Sequence, residues 1–173
     1  MFQYHVVWVP KYRFRMLHGR IGRALAAEPD PDDMLAADAA RHADAADDSV
    51  TCAAASIRAA RRCLRLLAYD EAAAHVEVGR AHARRLESRQ RIAHEVRLID
   101  VLVHPALRLR DPGLLGVELA ELCALAQQLG MADELSTGLM LLARLHHWGW
   151  GDIPRAEVLL RRALDVIDRK SVV

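Results

Sequence analysis

The sequence predicts an all-α protein in which antiparallel helical hairpins stack as a repeat, with a short N-terminal strand-like segment. Hydrophobic residues make up 53% of the 173 residues while aromatic residues make up only 5%. Much of the difference is alanine, which favours closely packed helices over a β-sandwich. From about residue 53 onward, apolar residues recur at intervals of three and four, the period of helices with one buried face.

The first segment differs from the rest of the chain. Residues 4–13 are rich in β-branched and aromatic side chains and predict a strand followed by a basic turn. No second strand candidate follows, so this strand has no sheet to join. Residues 1–23 carry five basic and no acidic side chains, whereas residues 28–48 carry eight acidic ones. This reversal predicts two domains, a basic segment at 1–27 and a helical-repeat domain at 28–173.

The helical part contains five apolar faces separated by short connections, which make neighbouring helices antiparallel. Asp111-Pro112 predicts the start of a helix, and Gly130 predicts the end of one. Gly149, Gly151 and Pro154 predict a tight turn into the last helix. The faces are Ile57, Ala60, Leu64 and Leu67; Ile92, Val96, Ile99 and Val103; Leu119, Leu122, Ala126 and Leu129; Leu135, Leu139, Leu142 and His146; and Ala156, Leu159, Leu160, Ala163, Leu164 and Ile167.

One spacing recurs in two helices. In each helix a small residue is followed by an apolar residue four positions later and by another small residue three positions after that. This is the second-helix pattern of tetratricopeptide repeats. We therefore expect the whole face of the last helix to pack on a neighbour, so that Leu160→Ala lowers the unfolding midpoint. Deletion of Met1–Ala24 is expected to leave it nearly unchanged. The two sets are Ala72, Val76 and Gly79, and Ala156, Leu160 and Ala163.

Two stretches carry a family resemblance. Leu66–His75 (LLAYDEAAAH) and Leu145–Glu157 (LHHWGWGDIPRAE) resemble the tetratricopeptide-like region of large bacterial signal-transduction ATPases that act as transcriptional regulators. The resemblance covers roughly residues 34–169 and implies a stacked helical repeat. No GxxxxGK[ST] motif occurs in the sequence, so the resemblance carries over no nucleotide chemistry. No output module is visible either.

The opening residues resemble a different family. Gln3–Arg13 (QYHVVWVPKYR) and the continuation Met16–Ile21 are similar to the start of single-tyrosine HUH transposases of insertion sequences, over residues 3–24. That family holds a divalent metal with a His-hydrophobic-His pair and attacks DNA with a later tyrosine. The sequence has no His-x-His, and its only tyrosine after Tyr12 is Tyr69, within the helical repeat. We therefore expect no metal-dependent nicking of DNA.

The remaining reactive side chains predict no site. Cys52, Cys63 and Cys123 are far apart and odd in number, which indicates neither a zinc site nor a disulfide framework. His75 and His82 are seven residues apart and have no evident third ligand, so they are interpreted as ordinary histidines rather than a metal pair. His146 and His147 point to different sides of their helix, one packed and one in solvent.

Two surface features have a functional and a structural interpretation. The arginines between residues 58 and 91 could bind nucleic acid, but a solvated face paired with Asp70, Glu71, Glu77 and Glu87 is favoured. The tryptophans Trp148 and Trp150 could anchor a ligand, but closure of a helical hairpin is favoured.

The sequence therefore predicts a non-catalytic scaffold for protein interaction or regulation, a fragment or relative of the ATPase-type regulators. We expect no enzymatic activity, no catalytic, cofactor-binding or metal-binding residues and no cofactor. A protein partner is expected; DNA binding through the basic N-terminal segment is the less favoured alternative, as a transposase-derived protein. A fusion of a transposase-type N-terminus with a helical-repeat fragment would explain both resemblances. Because no apolar run reaches the length of a signal peptide or membrane span, a soluble cytoplasmic protein is expected.

Overall fold

The computed structural model describes residues 3–104 and 111–171, with side chains from 13 to 104 and from 111 to 169. Helices account for most of the described residues, which include no strand, so the all-α class is confirmed. The elements are α1 (Gln3–Ala27), α2 (Ala36–Ala46), α3 (Ser49–Arg65), α4 (Tyr69–Ala83), α5 (Ser88–Leu102), α6 (Pro112–Gln128), α7 (Ala132–Arg144), a π-helical turn (Leu145–Gly149) and α8 (Ile153–Ser171).

The chain forms two compact units, which are described separately. Unit 1 spans Met1–Leu86 and contains α1 to α4, and unit 2 spans Glu87–Val173 and contains α5 to α8. The domain boundary predicted between residues 27 and 28 falls at the end of α1, inside unit 1, and stays a prediction.

The N-terminal strand is not confirmed, because α1 runs through residues 4–10. A strand satisfies its backbone N–H and C=O groups only through a neighbouring strand, whereas a helix satisfies them within itself. With no strand partner among the described residues, the backbone requirement outweighs the β-propensity of the side chains. Predictions about the side chains of residues 3–12 lie outside the described part of the molecule.

Unit 1 is a series of consecutive helix pairs built on small residues. α1 packs on α2, α2 on α3, and α3 on α4. The contact between α1 and α2 is close: a Cβ added at Gly22 would lie 3.0 Å from the backbone nitrogen of Ala43. The core is mostly alanine, with Ala39, Ala53 and Ala60 fully buried. Small side chains therefore set the distance between these helices.

The acidic loop between α1 and α2 is held by α3. Arg58 Nε donates to Asp33 Oδ1 at 2.7 Å, and Arg65 Nη2 donates to Asp33 Oδ2 at 3.0 Å. Burial raises the pKa of Asp33, but these hydrogen bonds and charges outweigh it and leave that pKa below its usual value. Arg58 also lies 3.6 Å from Asp30. The predicted pairing with the acidic side chains of residues 70–87 is therefore wrong for Arg58 and Arg65, whose partners lie in the preceding loop.

Unit 2 has a leucine-rich core around α7, which packs against α5, α6 and α8. A Cβ added at Gly138 would lie 2.6 Å from Cys123 Sγ, so α6 and α7 touch closely. The predicted helix signals are confirmed: Asp111 Oδ1 accepts from Leu114 N at 2.9 Å, and Gly130 follows α6 with φ of +67°. The buried members of the predicted faces in α5, α6 and α7 are Ile92, Val96, Ile99, Val103, Leu119, Leu122, Ala126, Leu135, Leu139 and Leu142.

Two predicted faces have exposed members. In α8 the residues that pack are Ala156, Leu159 and Ala163, while Leu160 is 46% exposed. Leu164 and Ile167 are exposed as well, so the prediction that the whole face packs on a neighbour is wrong for these three. Leu67 is exposed because α3 ends at Arg65 and the chain turns there with a φ of +60° at Leu67. In α4, by contrast, Ala72, Val76 and Gly79 are all buried.

Candidate interaction surface at the tryptophan turn

The connection between α7 and α8 is a tightly built turn. The π-helical turn Leu145–Gly149 continues α7, and Gly151 reverses the chain at a φ of +67°, a conformation that favours glycine. Asp152 N donates to the His146 carbonyl at 2.8 Å, and Asp152 Oδ1 accepts from Arg155 N at 3.1 Å. The side chain of Asp152 therefore caps the N-terminus of α8, and its backbone N–H closes the turn. The predicted tight turn is confirmed.

Trp150 fastens this turn to α6. Its ring lies over Gly116, where an added Cβ would be 2.7 Å from Trp150 Cη2. His146 packs edge-on against the same ring, with 4.6 Å between ring centroids, and its Nδ1 lies 3.3 Å from Asp152 Oδ2. Trp150 therefore closes the end of the helical hairpin, as predicted. His146 is half-buried and His147 exposed, so their predicted separation to different sides is also confirmed.

Trp148 has a different environment. It is 57% exposed, and its ring contact is with His147 at 6.2 Å. Leu114 and Val117 are exposed on the first turns of α6, the helix end to which the turn is fastened. We call Trp148, Trp150, Leu114 and Val117 the tryptophan surface. Exposed tryptophan and aliphatic side chains on a rigid base are typical of protein-binding sites, since tryptophan supplies much apolar area with few rotatable bonds.

A histidine in unit 1 forms an arrangement that sequence reasoning missed. His82 Nε2 lies 2.9 Å from Asp44 Oδ1, and His82 Nδ1 lies 3.1 Å from Ser49 Oγ. The three residues come from α4, the end of α2 and the start of α3. Asp44 is 38 residues from His82, so no local spacing could have revealed the contact.

The exposure of this Ser49–His82–Asp44 cluster is the reverse of what nucleophilic catalysis needs. The His82 side chain is 4% exposed, whereas the Asp44 carboxylate is 60% exposed. In a serine nucleophile system the carboxylate is buried and orients the histidine. The N-terminal amides of α3, which could stabilise an oxyanion, already serve Asp48: Thr51 N donates to Asp48 Oδ1 at 3.2 Å. The role that fits these contacts is structural: they join α2, α3 and α4.

A histidine pair connects α1 to α2. His18 Nδ1 and His42 Nδ1 lie 2.7 Å apart, so one ring donates and the other accepts. Phe14 packs on the His18 ring at 4.1 Å. Burial, followed by the positive charges of Arg41 and His18, lowers the pKa of His42. The pair is therefore a pH-sensitive contact between the two helices. No group of three or more candidate metal ligands occurs in the described part of the chain.

The cysteines are free thiols in apolar surroundings. Burial raises the pKa of Cys52 and of Cys123 to about 11, and it also raises the pKa of Cys63. A thiol with so high a pKa stays protonated near neutral pH and reacts slowly as a nucleophile. Cys52 and Cys123 are buried, and Cys63 is half-buried.

Comparisons with protein-family models, curated proteins and solved structures gave no match. Over residues 3–104 and 111–171, no helix combines the length and apolar character that crossing a membrane requires.

Proposed function

We propose that the chain is a non-catalytic helical scaffold for protein interaction or regulation, related to the tetratricopeptide-like region of ATPase-type regulators. Consecutive helices pack as pairs within each unit, which supports this function. The small residues of the repeat spacing support it too, since Ala72, Gly79, Ala156 and Ala163 are all buried where helices meet. In repeats of this kind, small residues allow one helix to nest against its neighbour.

The tryptophan surface is the observation on which this proposal depends most. Exposing a tryptophan forgoes roughly 25 cal/mol for every Å² of apolar area that burial would remove from water. Here the exposed ring of Trp148 lies in a turn that Trp150, Gly116 and Asp152 hold in place. A partner that covers Trp148, Leu114 and Val117 would recover that free energy without reordering the turn. We therefore assign the protein partner to this surface.

Site-specific photocrosslinking in cells tests the proposal. A photoreactive phenylalanine at Val117 is expected to give one discrete protein adduct, identified by mass spectrometry as a different protein rather than a second copy. The Trp148→Ala change should abolish this adduct. The matched control is Leu125, an exposed apolar residue two turns further along α6, which should give no such adduct. Absence of the adduct at Val117, or equal adducts at both positions, would contradict the proposal.

A second function, DNA binding by a transposase-derived protein, is favoured by one feature of α1. Arg13 and Arg20 are exposed and form no ion pair with any other described side chain, whereas Arg15 and Arg23 pair with Asp47 and Asp48. Exposed arginines suit the phosphates of a nucleic acid, and the exposed ring of Phe14 on the same helix could stack on a base. If this function is correct, the chain binds DNA with an affinity that falls as the salt concentration rises. The double variant Arg13→Glu and Arg20→Glu should then lose this binding. Binding of equal strength by that double variant would rule it out.

A further inference from the structure

Helix α1 extends beyond the end of the helix on which it packs. A Cβ added at Gly19 would lie 3.4 Å from the Cβ of Ala46, so Gly19 lies beside the last residue of α2. More than half of the 25 residues of α1 precede Gly19. Nearer the other end of α1, Leu25 and Ala26 pack on the alanine core of unit 1. Residues 13–17 lie in the extension and are all exposed.

One side of this helix carries an apolar stripe. Phe14 and Leu17 are exposed and Ile21 is partly exposed, and we call these three residues the α1 stripe. At 100° of rotation per residue, their side chains fall within about 60° of one another. Met16 is exposed to a similar extent but lies about 100° from Leu17, outside the stripe. The exposed apolar side chains of the stripe therefore share one face of the helix.

Positive charge lies along one edge of the α1 stripe. Arg13 and Arg20 are exposed, and both fall within about 60° of Leu17. Residues 1–27 include five basic and no acidic side chains. The two aspartates that follow α2 already pair with arginines. A partner on this face of α1 therefore meets positive charge beside apolar side chains.

This combination fits the surface of an anionic membrane better than a nucleic acid. A helix in the membrane interface places its apolar side chains among the acyl chains, while its arginines meet the acidic headgroups. DNA would use the arginines and the Phe14 ring. Leu17 and Ile21 cannot stack on a base, and they gain nothing from a phosphate backbone. Only a lipid surface uses the whole stripe together with its basic edge.

We propose that α1 binds the surface of an anionic phospholipid membrane. The α1 stripe enters the edge of the acyl region, and Arg13 and Arg20 lie at the headgroups. The helix lies along the membrane and does not cross it. This contact belongs to unit 1, whereas the tryptophan surface belongs to unit 2. The membrane contact therefore stands or fails independently of the function proposed above.

Co-sedimentation of the full chain with lipid vesicles tests this contact. The chain is expected to bind vesicles made of equal parts phosphatidylserine and phosphatidylcholine, with an affinity that falls as the salt concentration rises. Binding to vesicles of phosphatidylcholine alone should be much weaker. The double variant Arg13→Gln and Arg20→Gln should bind the anionic vesicles about tenfold more weakly, since it loses both charges at the edge of the stripe.

A matched pair of serine variants tests the stripe itself. Leu17→Ser should weaken binding to the anionic vesicles about tenfold, whereas Met16→Ser should leave it nearly unchanged. Both residues are exposed on the same turn of α1, so circular dichroism should show the same helix content in both variants. An equal loss of binding in the two variants would overturn the proposal. So would equal binding to both kinds of vesicle, or a chain that binds duplex DNA but no vesicle.

Discussion

Single residues of α8 separate the side that stabilises unit 2 from the side that is exposed. Leu159 is 7% exposed and belongs to the unit 2 core, whereas Leu160 is 46% exposed. Leu159→Ala should therefore reduce the free energy of unfolding by about 2–5 kcal/mol, since it leaves a cavity in a packed core. Leu160→Ala should change it by less than about 0.5 kcal/mol at concentrations where the chain is monomeric. Chemical denaturation of the two variants checks this, and an equal loss in both would contradict the burial seen here.

At the same scale, His42 should make unit 1 sensitive to acid. The pKa of His42 in the folded chain lies below the ordinary value of 6.5, so the unfolded chain binds the proton more readily. The stabilising contribution of neutral His42 is therefore complete above pH 6.5 and is lost as the pH falls through the lower, folded pKa. Its neighbours are His18 and Arg41, which disfavour the proton, and Asp38, which favours it.

The thermal midpoint should accordingly fall between pH 8 and pH 5, and His42→Gln should make that fall smaller. Some acid sensitivity will remain in the variant, since the pKa values of His75 and His94 are lowered by burial in the same direction. An identical fall in the variant and the wild-type chain would show that the histidine pair has no part in it.

At the scale of elements, the contact between α1 and α2 depends on glycine at one position and not at another. A Cβ at Gly22 would meet the backbone of Ala43 at 3.0 Å, and a helix backbone cannot rotate away as a side chain can. A Cβ at Gly19 would lie 3.4 Å from the Cβ of Ala46, an ordinary contact. Gly19 and Gly22 therefore provide two matched sites for a glycine-to-alanine substitution on the same helix.

Gly19→Ala should stabilise the chain by up to about 1 kcal/mol, because alanine is the better helix former. Gly22→Ala should lower the thermal midpoint despite the same gain in helix propensity, since α1 and α2 must move apart. Calorimetry of both variants decides the matter, and a stabilised Gly22→Ala would show that the helices are less close than described.

Because α1 is packed on α2, deletion of Met1–Ala24 should also destabilise unit 1, contrary to the expectation drawn from the sequence.

The elements that sequence predicts best are those whose signals are local. Asp111 with Pro112 starts α6, and Gly130 ends it, because capping and left-handed backbone depend on a few neighbouring residues. Periodicity also identifies the stripe of α8, but it does not say which half of a broad stripe is buried. The prediction that Leu160 is buried is wrong for this reason. The contact of His82 with Asp44 depends on how three helices pack, and no signal short of the fold contains it.

At the scale of the whole molecule, the helix content distinguishes the two resemblances of the sequence. Helices make up most of the described residues, which include no strand. The far-ultraviolet circular dichroism spectrum should accordingly be dominated by helix, with at most one short strand. A spectrum with a third or more β-structure would support a sheet-based transposase fold instead and would remove the basis of the helical scaffold.

The two units differ in what their cores are made of, and this affects how each responds to temperature. The core of unit 1 is mainly alanine, while that of unit 2 is rich in leucine, isoleucine and valine. The heat capacity of unfolding grows with the apolar area newly hydrated, by roughly 0.45 cal/mol/K for each Å². Unit 2 should therefore have the larger heat-capacity change per residue and the more strongly curved dependence of stability on temperature. Cooling should weaken the leucine core faster than the alanine core, because hydration of apolar surface is less unfavourable in the cold.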